Sequence, residues 1–316
     1  MVEVSAQRVV FGETLCELAE EFPNVLCLDG DLGTSTRADI FAARYPDKFL
    51  QMGIAEQNMV GVAAGLATMG FVPFVSTFAC FAAKRALDQV RVVVTQPRLN
   101  VKITGAYSGI LTGKTGKTHQ SVQDLAIFRS MPNMTVLAPA DGAEVRQMMR
   151  AMVTTPGPFY LRLTRDPCPT VLGDGYRFEI GRAVVLLEGT DVAIISTGVQ
   201  TGRALEAAEG ILRNEGIGVY LLHVPTLKPL DSDAILEAAR RTGLVITVED
   251  HSILGGLGGA VAEVLGEGLP TPLRRIGLRD VFGESGPNTP LLEKYGLSPS
   301  HIADAVRSAL TCAGTH

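Results

Sequence analysis

The sequence predicts an α/β protein of two domains, each a mostly parallel sheet flanked by helices. Short apolar runs alternate with amphipathic stretches along nearly the whole chain, the pattern of strand–helix units whose parallel strands are buried on both faces. The length, 316 residues, exceeds what one hydrophobic core ordinarily serves. Between residues 165 and 177 the pattern is broken by Pro167, Pro169, Gly173 and Gly175, residues that favour turns and linkers. The expected division is therefore residues 1–172 and residues 173–316.

In chain order, residues 7–20 read as a helix and NVLCLDG (24–30) as a buried strand. A helix over 56–69 leads to the strand FVPFVS (71–76), and a helix over 79–95 to the strand NVKITGA (100–106). Helices over 123–131 and 142–153 enclose the strand MTVLAPA (134–140), and PFYLRL (158–163) closes the first unit. The second unit has strands at RAVVLLEG (182–189), VAIISTG (192–198), IGVYLLHV (217–224), LVITVED (244–250) and LRRIGL (273–278), then a helix over 299–310. Open parallel sheets of this kind place ligands at the carboxyl ends of their strands.

Composition narrows the function classes. A net charge of -5 offers no basic field for nucleic acid. The five cysteines, Cys16, Cys27, Cys80, Cys168 and Cys312, are scattered and never spaced C-x-x-C, which indicates neither a disulfide framework nor a zinc site and suits a reducing cytoplasm. No apolar stretch approaches the roughly 20 residues of a membrane span, and no basic start leads into an apolar run. Neither export nor membrane insertion is expected.

Two glycine-rich segments look like phosphate-binding fingerprints and fail on spacing. The loop 109–118 contains G-K-T twice, but a P-loop ending at Gly113-Lys114-Thr115 needs glycine where Ser108 stands, and one ending at Gly116-Lys117-Thr118 needs it at Leu111. The run Gly255-Gly256-Leu257-Gly258-Gly259 lacks the G-x-G-x-x-G order and lies late in its unit. Close helix packing accounts for its glycines.

The segment GIAEQNM (53–59), continuing as VGVAAGLA to residue 67, is similar to the signature of the transketolase family. In that family the glutamate, here Glu56, meets N1′ of the aminopyrimidine of thiamine diphosphate. A carboxyl group hydrogen-bonded there helps the cofactor's own amino group take the proton from C2 of the thiazolium. The small residues of the helix permit close approach by a neighbouring backbone or subunit. STFACF (76–81) resembles the family's T-F-x-x-F segment, which implies that Phe78 and Phe81 bury the aminopyrimidine, and such apolar surroundings would favour the protonated form of Glu56. Cys80 reads as a small buried residue.

Residues 100–141 resemble the family's histidine-bearing loop and the strand after it, keeping Gly113, Gly116, Thr118, His119 and Gln120. The resemblance places His119 beside the substrate's oxygens, where an imidazole can exchange protons near neutral pH. It assigns Asp31 to the cofactor, and Arg8, Ser35 and Arg165 to the phosphate of the sugar substrate. An arginine's planar fork suits phosphate. In the second unit VPTLKPLD (224–231) and VEDHSILGGLG (248–258) resemble the family's C-terminal domain, so that His223, His251 and His301 take structural readings, His251 at a strand-to-helix junction.

The resemblance spans residues 4–309 and identifies the chain as the pyrimidine-binding and C-terminal part of a split transketolase, transferring a two-carbon ketol unit from a ketose phosphate to an aldehyde acceptor. Family members hold the diphosphate and Mg2+ through a G-D-G motif paired with a later asparagine. Gly173-Asp174-Gly175 is no such site, since no asparagine lies between Asn133 and Asn214; it reads as a turn. This implies a partner subunit with the diphosphate-binding domain and its Mg2+ ligands, and an assembly of two copies of each chain.

Two features depart from the family. Its acidic turn is replaced by Gly113-Lys114-Thr115-Gly116 in a longer loop, and a histidine expected earlier in this loop has no counterpart, Tyr107 or Ser108 standing in its neighbourhood. Tyr107, Lys114 and Thr115 are therefore candidate substrate contacts that alter acceptor choice. Transfer to a lipoyl or carrier-protein arm, as in the β subunits of 2-oxoacid dehydrogenases, and a non-catalytic assembly role are the alternatives. The retention of Glu56, Phe78, Phe81 and His119 argues against the last.

Overall fold

The computed structural model describes residues 3–313. Fourteen strands among them form three sheets. They are β1 (Val4–Ala6), β2 (Val25–Asp29), β3 (Phe49–Gln51), β4 (Val72–Phe78), β5 (Lys102–Ala106), β6 (Thr135–Leu137), β7 (Phe159–Arg162) and β8 (Pro167–Pro169), then β9 (Val184–Leu187), β10 (Val192–Ser196), β11 (Val219–His223), β12 (Thr226–Lys228), β13 (Val245–Ser252) and β14 (Leu273–Leu278).

The larger sheet has the order β12-β6-β7-β5-β4-β2-β3 and is parallel except at β12. Its central strands are apolar on both faces because both are covered. Leu28, Val75 and Ile103 face Met59, Val60 and Ala63 of the helix Glu56–Thr68. Cys27, Phe74 and Leu161 face the opposite layer, built from the helices Gln7–Glu21 and Gly142–Thr154. This alternation along each strand is the ordinary pleat of a doubly covered sheet. The second sheet, β14-β13-β10-β11-β9, is parallel except for β9.

Two local expectations change. Residues 79–95 form a broken element: a turn of helix at Ala79–Ala82, a short one at Leu87–Gln89, and a π-helical segment at Val90–Thr95. The run V-R-V-V-V-T holds the β-branched residues least at ease in an α-helix. The segment containing Thr226, expected with the second unit, pairs antiparallel to β6 and buries Leu227 at the edge of the first sheet. Pro229 has no N–H with which to continue the ladder.

The stretch 165–177 is well tethered. Strand β8 pairs with β1, Asp141 Oδ2 accepts from the backbone N–H groups of Val171 and Leu172, and the Tyr176 hydroxyl donates to Glu144. Glu144 also meets His223 at 2.9 Å, and His223 meets Thr201 at 2.8 Å, all three buried. Gly173-Asp174-Gly175 opens a turn closed by Tyr176 N–H to the Gly173 carbonyl, 2.9 Å. The later glycines pack as read: Glu249 accepts from the N–H groups of Leu257 and Gly258 at the start of the helix Leu257–Gly268, and a Cβ on Gly256 would meet Glu249 Oε2 at 2.1 Å. His251 stands on β13 just before that helix.

Candidate active site

The first sheet ends its strands β2, β4, β5 and β7 beside one another, and the loops leaving them carry the functional side chains. Gln7 pins the start of the helix Gln7–Glu21 over these ends, donating to the Pro139 carbonyl at 2.8 Å and accepting from Thr164 N–H at 2.9 Å. Arg8, the next residue, thereby reaches across the site. Its Nη1 donates to the Ser35 carbonyl at 2.8 Å and its Nε to the Arg165 carbonyl at 3.0 Å.

Tyr107 follows β5 with φ +58°, a left-handed conformation that costs an aromatic residue about 1–3 kcal/mol. It is held there from both sides: Ser108 N–H and hydroxyl both donate to the Leu163 carbonyl, at 3.1 and 2.9 Å. The Tyr107 ring stacks on Phe78 at 4.1 Å between centroids. The Arg8 and Arg165 guanidinium groups lie 5.9 and 5.6 Å from it, and Arg165 Nε donates to the Tyr107 hydroxyl at 3.3 Å. Arg165 also pairs with Asp166 at 2.8 Å, whereas Arg8 has no carboxylate partner among the described residues.

Phe78 and Phe81 stack at 5.6 Å, and the His119 ring meets both edge-on, at 5.8 and 5.6 Å. His119 Nδ1 lies 2.8 Å from the Thr118 hydroxyl. Burial pushes the Cys80 thiol up to about 12, so it stays a thiol, as its small buried position suggests. The Arg85 guanidinium sits 3.8 Å over Phe81 and donates from Nη1 to Glu56 Oε1 at 2.8 Å. Contacts thus run unbroken from Ser35 through Arg8, Tyr107, Phe78, Phe81 and Arg85 to Glu56.

Three expectations need qualification. Glu56 is only 3% exposed, but its surroundings are not wholly apolar, because Arg85 is its partner. Asp31 is exposed with φ +63°, and its carboxyl makes no hydrogen bond or ion pair among the described residues. The buried carboxyl there is Asp29, whose Oδ2 accepts from Leu32, Gly33 and Gln51 while Oδ1 has no partner, and burial raises its pKa. Lys114 and Thr115 lie apart from the other site residues on the exposed turn Gly113–Thr115, where the Thr115 hydroxyl donates to Thr112 Oγ1 at 2.7 Å.

That turn is seated on the second unit. A Cβ on Gly113 would meet Asn288 at 2.7 Å and one on Gly116 would meet Ser285 at 2.3 Å, so both glycines serve close packing. Beside Phe81 opens a cavity of about 380 Å³ whose lining includes Lys84, Arg85 and Lys117 and no carboxylate. Arg85, Gln7 and Asp29 were not singled out by sequence reasoning. For Arg85 a signal existed, since it lies four residues after Phe81 and the two share a face of a helical turn.

Residues 4–170 match the family described as transketolase, pyrimidine binding domain, and residues 181–302 match transketolase, C-terminal domain. The chain belongs to the transketolase family. This transketolase subunit is 43% identical over 298 residues to the 6-deoxy-6-sulfo-D-fructose transketolase subunit of Clostridium sp. (strain MSTE9), covering 94% of this chain and 92% of that one. It is 39% identical over 298 residues to an apulose-4-phosphate transketolase subunit of Phocaeicola vulgatus, covering 94% and 95%. A solved structure described as a split gene transketolase, inactive beta4 tetramer, shares 46% identity with a TM-score of 0.88 and covers 97% of this chain and 98% of its own. No helix among the described residues is long and apolar enough to cross a membrane.

The family's cofactor is thiamine diphosphate, and half of it fits these residues. A flat aminopyrimidine suits the stacked Phe78 and Phe81 pair, and Glu56 has one carboxyl oxygen that no group among the described residues engages. Among the described residues no group of three or more His, Cys, Asp or Glu side chains gathers that could hold a metal ion.

Proposed function

We propose that this chain supplies the aminopyrimidine and sugar-phosphate contacts of a split transketolase that moves a two-carbon ketol unit from a ketose phosphate to an aldehyde acceptor in the cytoplasm. A second subunit carries the diphosphate-binding domain with its Mg2+ ligands, and the active assembly holds two copies of each chain. Within this chain, residues 1–172 form the pyrimidine-binding domain and 173–316 the C-terminal domain. The observation that carries this reading is the unbroken run of contacts from Arg8 and Ser35 to Glu56. Bound cofactor supplies the nucleophilic carbon. Glu56 then anchors the aminopyrimidine, Phe78 and Phe81 exclude water from it, His119 moves protons at the substrate's oxygens, and Arg8, Ser35 and Arg165 hold the phosphate.

The test is donor kinetics of the reconstituted enzyme. Arg8→Ala should raise KM for a phosphorylated ketose by about 10- to 150-fold, the loss of a charge-assisted hydrogen bond, with kcat changed far less. Arg165→Ala should have the smaller effect, because Asp166 already offsets its charge. Equal KM values for phosphorylated and unphosphorylated ketoses in the unmodified enzyme would remove the phosphate assignment.

Acceptor choice differs from that of an ordinary transketolase. Lys84, Arg85 and Lys117 make this side of the site cationic, which favours an acceptor carrying negative charge and relaxes selection for one hydroxyl configuration. Without the family's carboxylate at this turn to meet a sugar hydroxyl, the enzyme should show low kcat/KM with ribose 5-phosphate, and Lys114→Glu with Thr115→Asp should raise it. Both positions are exposed on a turn, so the double substitution leaves the fold intact. Identical acceptor profiles before and after would show that the turn does not set acceptor choice.

A further inference from the structure

We propose that Arg85 is a positioning residue for Glu56: it fixes the carboxyl group through Oε1 and leaves Oε2 as the oxygen available to the cofactor's ring. The inference rests on the assignment of Glu56 to the aminopyrimidine and adds a residue to it.

Glu56 is a buried carboxyl at the first position of a helix, 3% exposed. A buried carboxyl with no hydrogen bond to direct it would be costly and free to rotate about its side-chain torsions. Among the described residues its side chain has one hydrogen-bond partner, Arg85 Nη1 at 2.8 Å, and that bond falls on Oε1 alone. A guanidinium ordinarily grips both oxygens of a carboxylate as a fork. Here the bond is single-ended, so one oxygen is held and the other is unclaimed.

Arg85 is itself held. Its guanidinium carbon sits over Phe81 at 3.8 Å from the ring centroid, and its backbone N–H donates to the Phe81 carbonyl at 2.9 Å. The residue belongs to the non-helical turn between Ala79–Ala82 and Leu87–Gln89. One side chain thereby ties together Phe81 and Glu56, the two elements that would meet the aminopyrimidine's face and its N1′ edge. Cation–π contact and charge-assisted hydrogen bonding are both directional, so this arrangement sets the angle between ring and carboxyl as well as their separation.

The experiment uses the enzyme reconstituted with its partner subunit, thiamine diphosphate and Mg2+, and reads C2-proton exchange of the bound cofactor by NMR and cofactor Kd by calorimetry alongside turnover. Arg85→Met keeps a stem over Phe81 and removes the hydrogen bond. It should slow exchange and kcat together by about 10- to 100-fold while donor KM stays within about twofold, as expected for a group acting through the cofactor's activation. Arg85→Lys, which restores a donor and a charge, should recover most of the exchange rate. Glu56→Ala serves as the control. If Glu56→Ala leaves exchange unchanged, the parent assignment fails; if it slows exchange while Arg85→Met stays within twofold of the unmodified enzyme, the Arg85 inference alone is overturned. Should Arg85→Met not assemble, Arg85→Gln decides by the same criterion. A purely packing role would move Tm without separating Lys from Met in the exchange rate, which would also overturn it.

Discussion

Glu56→Ala is expected to lower turnover of the assembled enzyme by about 10²- to 10⁴-fold, the range for a positioned acid–base group, while fold and assembly stay nearly unchanged. The two halves of this result have separate physical causes. The Glu56 side chain is buried but contributes little to the core, and its one hydrogen-bond partner among the described residues, Arg85, is 47% exposed and can be rehydrated when the carboxyl is removed. Removing a buried carboxyl also removes its desolvation penalty, so the net stability change is small. The catalytic loss arises because nothing else in the site offers a carboxyl to the ring: Asp29 is turned into its own backbone cradle and Asp31 projects to solvent. Thermal unfolding and light scattering check the first half. NMR exchange of the C2 proton checks the second, and an unchanged rate in the variant takes Glu56 out of the mechanism.

What could be read from the sequence, and what could not, follows from where the signal lies. The strands β2, β4, β5, β7, β10 and β11 are buried from end to end, so each stands out as an apolar run between polar loops, and the alternation with helices identifies the parallel sheets. The break at residues 83–86 is invisible in the sequence, because Ala-Lys-Arg-Ala is a good helix-forming tetrapeptide. The edge strand Thr226–Lys228 hides for a related reason: three residues carry no period, and their partner β6 lies about ninety positions earlier. At the site, Phe78, Phe81, His119 and Glu56, all singled out by their motifs, lie together in one cluster. The motifs were silent on Arg85 and Gln7, whose importance comes from partners brought together only by folding. Motif position also says nothing about which of two nearby carboxyls, Asp29 or Asp31, turns inward.

Purified alone, this chain should neither hold thiamine diphosphate tightly nor transfer a ketol unit, and addition of the partner subunit should restore both. The contacts it offers are two aromatic stacks at about 0.5–1.5 kcal/mol each and one charge-assisted hydrogen bond at about 1.5–3 kcal/mol. Association costs about 4 kcal/mol or more in lost translational and rotational freedom, which consumes most of that sum. The diphosphate needs Mg2+ held by several hard oxygen ligands, and the described residues gather no such group. The helix Glu56–Thr68 also leaves one face bare: Gly61 and Gly65 are exposed, and a Cβ built on either meets nothing within 4 Å. Glu56 begins that helix and is already buried, so what the partner has to supply is the hold on the diphosphate and its Mg2+. Binding and activation should therefore appear together as the partner is titrated in, with calorimetry in the presence of Mg2+ showing cofactor affinity rise from millimolar or weaker to micromolar or tighter. Micromolar binding by the lone chain, or full turnover without the partner, would show that the cofactor site is complete within these 316 residues.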